Sequence, residues 1–81
     1  MVGRMTKYIV IPMNMEGISF TLIEFHTDLA DWLQKYQDRQ YFTVVDWPNH
    51  MGICAMEQED ILVFTAEYPK YAIYIRDQID G

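Results

Sequence analysis

The stretch that decides the fold is DLADWLQKYQD, residues 28–38, where large apolar side chains recur at helical spacing. They fall at i, i+3, i+4 and i+7, which is the stripe of an amphipathic helix. Thr27 or Asp28 is suited to cap its first turn, because a short oxygen-bearing side chain can accept a hydrogen bond there. The stripe consists of Leu29, Trp32, Leu33 and Tyr36. The sequence therefore predicts one helix over about residues 28–38.

Segments on both sides of this helix are rich in β-branched and aromatic residues, a composition typical of strands. The first two are joined by Asn14–Gly17, which has the residues of a tight turn. Glu57–Asp60 is read as a polar turn before the last of them. The five predicted strands are Thr6–Met13, Ile18–Phe25, Tyr41–Trp47, Met51–Met56 and Ile61–Ala66.

The C-terminal segment, Tyr71–Asp77, fits two structures. Alternation of Tyr71, Ile73 and Ile75 favours a sixth strand. Pro69 is also suited to the first position of a helix, because its missing N–H is not needed there. We favour the strand, and the helix stays open as the alternative.

These elements predict an α+β fold in the order β-β-α-β-β-β, with a possible sixth strand, and short connections favour an antiparallel sheet. A helix of 11 residues is about 16 Å long and about 10 Å wide. Five or six strands make a sheet roughly 24–29 Å across. Because several strands are apolar on both faces, one helix cannot cover the sheet. Either the sheet curls into a half-barrel or its second face is buried against another chain.

A length of 81 residues predicts a single domain, in which residues 1–4 are expected to be a disordered leader or a cloning remnant. The net charge of −6 repels phosphate backbones and anionic lipids, so we expect no direct nucleic-acid or membrane partner. The longest apolar run is also far shorter than the ~20 residues of a membrane span. Cys54, the single cysteine, excludes an intramolecular disulfide and favours a reducing, cytoplasmic compartment.

Residues with catalytic or ligating chemistry are few and lack the spacing of a site. His26, His50 and Cys54 are too few for a structural zinc centre, which needs four ligands. Ser19 has no glycine elbow around it, and the four glycines are too far apart to cradle a phosphate. We therefore predict no catalytic activity, no cofactor and no metal.

Acidic and aromatic side chains are the distinctive feature of the composition, with twelve Asp and Glu and twelve Phe, Tyr and Trp. Aromatic residues supply anchors at protein interfaces, and acidic residues complement a basic partner. Exposed aromatics and polar turns select the candidate partner-binding residues. They are Trp47, Glu57, Glu59, Asp60, Glu67, Tyr68, Tyr71 and Tyr74.

The function predicted from these residues is protein binding, in which the acidic side chains occlude a basic surface of a nucleic-acid-handling protein. In length and composition the chain resembles small phage-encoded inhibitors of host defence or replication enzymes. The alternative is an obligate homodimer that buries the second sheet face against its own copy.

Overall fold

The computed structural model describes residues 6–13 and 20–78, which form a four-stranded antiparallel sheet with helices. The strand order in the sheet is β2-β3-β1-β4. The described residues therefore confirm an α+β fold with a small antiparallel sheet. The elements in chain order are β1 (Thr6–Pro12), α1 (Phe20–Lys35), β2 (Tyr41–Asp46), β3 (Met51–Glu57), α2 (Gln58–Glu67), a 3₁₀ helix (Pro69–Tyr74) and β4 (Ile75–Arg76).

The strand register divides the sheet into two faces. Ile9 pairs with Cys54, and Ile11 pairs with Gly52. Because directly opposed residues share a face, these side chains lie together on one side, which we call the packed face. The helices lie on this side, since Ile9, Ile11 and Cys54 belong to the same buried cluster as residues of α1, α2 and the 3₁₀ helix.

An aromatic cluster forms the centre of the core. Phe25 of α1 meets Phe64 of α2 and Tyr71 of the 3₁₀ helix edge to face, with ring centroids 5.7 and 5.2 Å apart. Trp32 meets Phe64 in the same way at 5.6 Å. Each such pair contributes about 0.5–1.5 kcal/mol beyond the area that it buries. The cluster therefore fixes the three helical segments relative to one another.

Two predicted strands are helical, and these predictions were wrong. Ile61–Ala66 lies within α2, where Ile61, Phe64 and Thr65 are buried at helical spacing. In the segment predicted as the strand Ile18–Phe25, the described part belongs to α1, which begins at Phe20 rather than near residue 28. Thr27 is consequently inside the helix, and its Oγ1 donates to the carbonyl oxygen of Ile23 at 3.1 Å.

The predicted count of five or six strands and the half-barrel are not confirmed, because the described residues form four strands. The polar turn predicted at Glu57–Asp60 is the junction at which β3 passes directly into α2. At the C-terminal end both alternatives hold in part: Pro69 begins a 3₁₀ helix, and Ile75–Arg76 forms a short strand beside β1. The expectations for residues 1–4 and for the turn at 14–17 lie outside the described residues.

Candidate protein-docking surface

The strand β2 is exposed along most of its length. It is the edge strand of the sheet, and the helices cover β1 and β3 instead. Of the ten exposed large apolar side chains among the described residues, five lie between positions 41 and 47. The exposed fractions are 48% for Tyr41, 65% for Phe42, 43% for Val44, 39% for Val45 and 58% for Trp47. This is the largest run of exposed apolar residues in the described sequence.

The face of the sheet opposite the helices carries two apolar rows, which run across β2, β3 and β1. Phe42 lies opposite Ala55, which lies opposite Tyr8. Val44, Ile53 and Val10 form the second row in the same way. We call the surface formed by these side chains the open face. It consists of Tyr8, Val10, Phe42, Val44, Ile53 and Ala55. Of these, Phe42 and Val44 are exposed, Tyr8, Val10 and Ala55 are half-buried, and Ile53 is buried.

Acidic side chains lie at both ends of the open face. By strand alternation Glu57 shares the face with Ala55, and Asp46 shares it with Val44. Beside Phe42 and Ala55 is a shallow depression of about 330 Å³ that Glu57 also lines. Polar side chains, those of Thr6 and Gln40, line this depression together with Glu57.

The predicted aromatic residues are divided between surface and core. Trp47 is exposed at the turn between β2 and β3. Tyr68 and Tyr74 are half-buried against the core, and Tyr71 is buried. The hydroxyl of Tyr71 donates to Oδ2 of Asp28 at 2.7 Å, and burial together with this bond raises the pKa of Tyr71. Tyr71 thus offers no surface to a partner.

The predicted acidic residues have different surroundings. Glu59 is exposed and Glu57 is half-buried. Asp60 is buried with one oxygen 3.3 Å from Nη1 of Arg39, and burial raises the pKa of Asp60 despite that guanidinium. Glu67 pairs with Lys35 at 2.7 Å, and hydrogen bonding to Glu67 raises the pKa of Lys35. Of these four residues, Asp60 is the one whose burial keeps it out of a docking surface.

Of the residues considered for metal or nucleophilic chemistry, Ser19 lies outside the described residues, and His26, His50 and Cys54 are not placed together as metal ligands. Burial raises the pKa of Cys54 to about 12, so its thiol is protonated and inaccessible at neutral pH. No three His, Cys, Asp or Glu side chains within the described ranges are placed to hold a metal ion. His50 instead shapes the turn after β2, with a left-handed φ of 54°.

Sequence reasoning did not select Tyr41, Phe42, Val44 and Val45 as functional residues. A sequence feature did point to them, because the run YFTVVD is apolar at both odd and even positions. An edge strand with apolar side chains on both faces cannot bury both faces on its own. What the sequence did not show was that this strand lies at the edge. That placement comes from the pairing of β3 with β1.

No protein family, curated protein or solved structure that we compared matches this chain. Among the helices of the described residues, none has the length and apolar character needed to cross a bilayer.

Proposed function

We propose that this chain is a small protein-binding module that acts by docking rather than by catalysis, and that the open face is its docking surface. The observation that supports this proposal is the exposure of Phe42 and Val44 on a sheet face that the helices leave uncovered. Soluble domains rarely expose contiguous apolar patches unless these serve an interaction.

The charge around the open face indicates the kind of partner. Glu57 and Asp46 lie at its two ends, Arg76 lies opposite Tyr8 at its β4 side, and the whole chain carries a charge of −6, so the acidic groups outnumber the basic one. A partner with an apolar projection surrounded by Lys or Arg would complement this arrangement and would be attracted to it over a Debye length of about 10 Å. Nucleic-acid-handling proteins have basic surfaces of this type. We therefore propose an inhibitor or regulator that occludes such a surface, of the kind that phages use against host defence.

A photocrosslinking experiment tests the docking surface directly. Benzoylphenylalanine replaces Tyr8, a half-buried aromatic residue of the open face, in the full chain. The control carries the same group at Leu62, which is exposed on α2. After irradiation in a lysate of the native cell, we expect an adduct with a basic protein from position 8 and none from position 62.

The adduct should be lost when unlabelled wild-type chain competes, and should persist when the competitor is Ala55→Arg. Ala55 lies in the middle of the Phe42 row, so arginine there would obstruct the face. Absence of an adduct from position 8, or an equal adduct from position 62, would contradict the proposal.

A homodimer that buries the open face against its own copy is the second candidate function, and the exposure of Phe42 and Val44 favours it as well.

A further inference from the structure

The two edges of the sheet are built differently. The β4 edge has only two residues, and Nη1 of Arg76 donates to the carbonyl oxygens of Ile73 and Ile75 at 2.9 and 2.8 Å. Shortness and a charged residue are common ways to prevent an edge strand from pairing with another chain. The β2 edge has six residues without Lys, Arg, Pro or Gly. Its one formal charge is on Asp46, the last residue.

The sequence of β2 is self-complementary in an antiparallel arrangement. If a two-fold axis passes through Thr43, then Thr43 faces Thr43 of the second copy. Phe42 then faces Val44 of the second copy, and Tyr41 faces Val45. Aromatic residues opposite β-branched residues, and Thr opposite Thr, are among the stabilising cross-strand pairs. One position further out, Gln40 faces Asp46 of the second copy, so no two carboxylates are opposed.

Other registers are less favourable. If the second copy shifted by one residue, the side chains of one face would lie opposite those of the other face. The nearest alternative registers therefore move each residue's partner by two positions. In one of them Phe42 faces the carboxylate of Asp46. In the other, Phe42 faces itself and Val44 faces Gln40. The register centred on Thr43 alone matches every apolar side chain of β2 with another.

We propose that two copies of this chain associate through the β2 edge, in the register centred on Thr43, to form a continuous eight-stranded antiparallel sheet. The association goes beyond the proposed docking function, because it uses the strand edge and leaves Tyr8 and Val10 uncovered. It also joins the two open faces into one surface that a partner can span.

The exposed apolar area of residues 41–47 limits how tightly two copies can associate. Aromatic side chains present about 150–250 Å² each, so the exposed parts of residues 41–47 amount to at most on the order of 800–1,000 Å² over two copies. Edge pairing buries only the sides of these side chains and leaves the outer parts of Phe42 and Val44 exposed. Standard interfaces bury about 1,200–2,000 Å², and smaller ones belong to weaker complexes. The backbone hydrogen bonds of the new strand pair add to this area. We therefore expect a dissociation constant in the roughly micromolar range.

Sedimentation equilibrium of the full chain between about 0.2 and 500 µM, a range that brackets this constant, tests the association. The wild type should be a reversible dimer. Thr43→Lys places two ammonium groups face to face at the axis, and Thr43 is exposed within one chain. This variant should raise the dissociation constant more than tenfold, since opposed like charges cost several kcal/mol. Leu62→Lys makes the same charge change on α2 and should dimerise like the wild type.

Disulfide trapping tests the register. The variants carry Cys54→Ala, because Thr43 lies opposite Cys54 within the chain and an intrachain disulfide would otherwise form. Opposed Cα atoms are about 4.5–5.5 Å apart, within the range of a disulfide. Thr43→Cys should therefore form a covalent dimer on oxidation. Val45→Cys should not, because Val45 of the second copy lies about 13 Å further along the strand.

A monomeric wild type over the whole concentration range would overturn the proposal, as would a dimer that Val45→Cys traps and Thr43→Cys does not. Such failures leave the docking function intact, because the Tyr8 adduct with a basic protein does not depend on the β2 edge. If position 8 instead yields an adduct with the mass of two copies, the open face is the dimer contact, and both proposals fail.

Discussion

At the scale of single residues, Tyr71 joins the 3₁₀ helix to α1. Its ring is buried among Phe25 and Phe64, and its hydroxyl reaches Asp28. Nζ of Lys70 lies 3.1 Å from the same oxygen of Asp28 and 2.7 Å from Glu24. A partner-binding role for Tyr71 was suggested by its type. Its position was decided by Asp28, 43 residues away, which no local pattern could indicate.

Two substitutions separate the contribution of the Tyr71 ring to stability from that of its hydroxyl. Tyr71→Phe keeps the ring and removes one hydrogen bond, at a cost of about 1 kcal/mol. Tyr71→Ala removes the ring from the core and should cost about 3–5 kcal/mol. Urea unfolding followed by tryptophan fluorescence gives both values. Equal, small effects would show that the ring is not part of the core.

Asp60 should give stability a dependence on pH. Because its pKa is raised in the fold from 3.8, the folded chain binds this proton more tightly than the unfolded chain does. Its contribution is therefore largest at low pH and is lost as the pH rises through the folded-state pKa. Relative to Asp60→Asn, the wild type should gain stability as the pH falls from 7 towards 4.

Urea titrations of both proteins at several pH values measure this trend. Glu59→Gln removes a carboxylate from the same turn and serves as the control for net charge. A wild-type advantage that grows as the pH rises would contradict the assignment.

At the scale of elements, the sequence predicted the strands that carry an extended, β-branched pattern and missed α2. β1, β2 and β3 lie close to their predicted ranges. ILVFTA has the same β-branched composition, so propensity favoured a strand there. Its buried residues recur instead at helical spacing, and Glu59 and Asp60 occupy the first turn, where acidic residues are favourable. Packing against Phe25 and Trp32 decided the outcome.

The contact of α1 with the sheet depends on a glycine. A Cβ at Gly52 would lie 2.5 Å from Cδ1 of Leu22, so any larger residue must displace the end of the Leu22 side chain. Gly52→Ala should destabilise the fold by about 1–3 kcal/mol. In a Leu22→Ala background the same change should cost less, because the clashing methyl groups are gone. A double-mutant cycle by urea unfolding measures the difference, and strictly additive effects would exclude the clash.

At the scale of the whole molecule, one side of the sheet is covered by helices, and the other side is not. Helices cover β1 and β3, while β2 exposes apolar side chains on both of its faces and is the edge strand of the sheet that the described residues form. The sequence indicated that apolar strand surface would remain uncovered, but not which strand would expose it. Pairing of two β2 strands would give the backbone N–H and C=O groups at this edge hydrogen-bond partners. It would also leave the open face available for a partner.

Such an assembly should make thermal stability depend on protein concentration, because mass action favours the folded dimer over unfolded chains. A hundredfold rise in concentration should raise the Tm of the wild type by several degrees, given that about 1 kcal/mol shifts a domain of this size by roughly 4–8 °C. Thr43→Lys should melt at a temperature independent of concentration, and Leu62→Lys should follow the wild type. Circular dichroism in cells of different path length provides the measurement. A wild-type Tm that stays constant over this range would show that the folded unit is the monomer, with β2 left for the edge of a different protein.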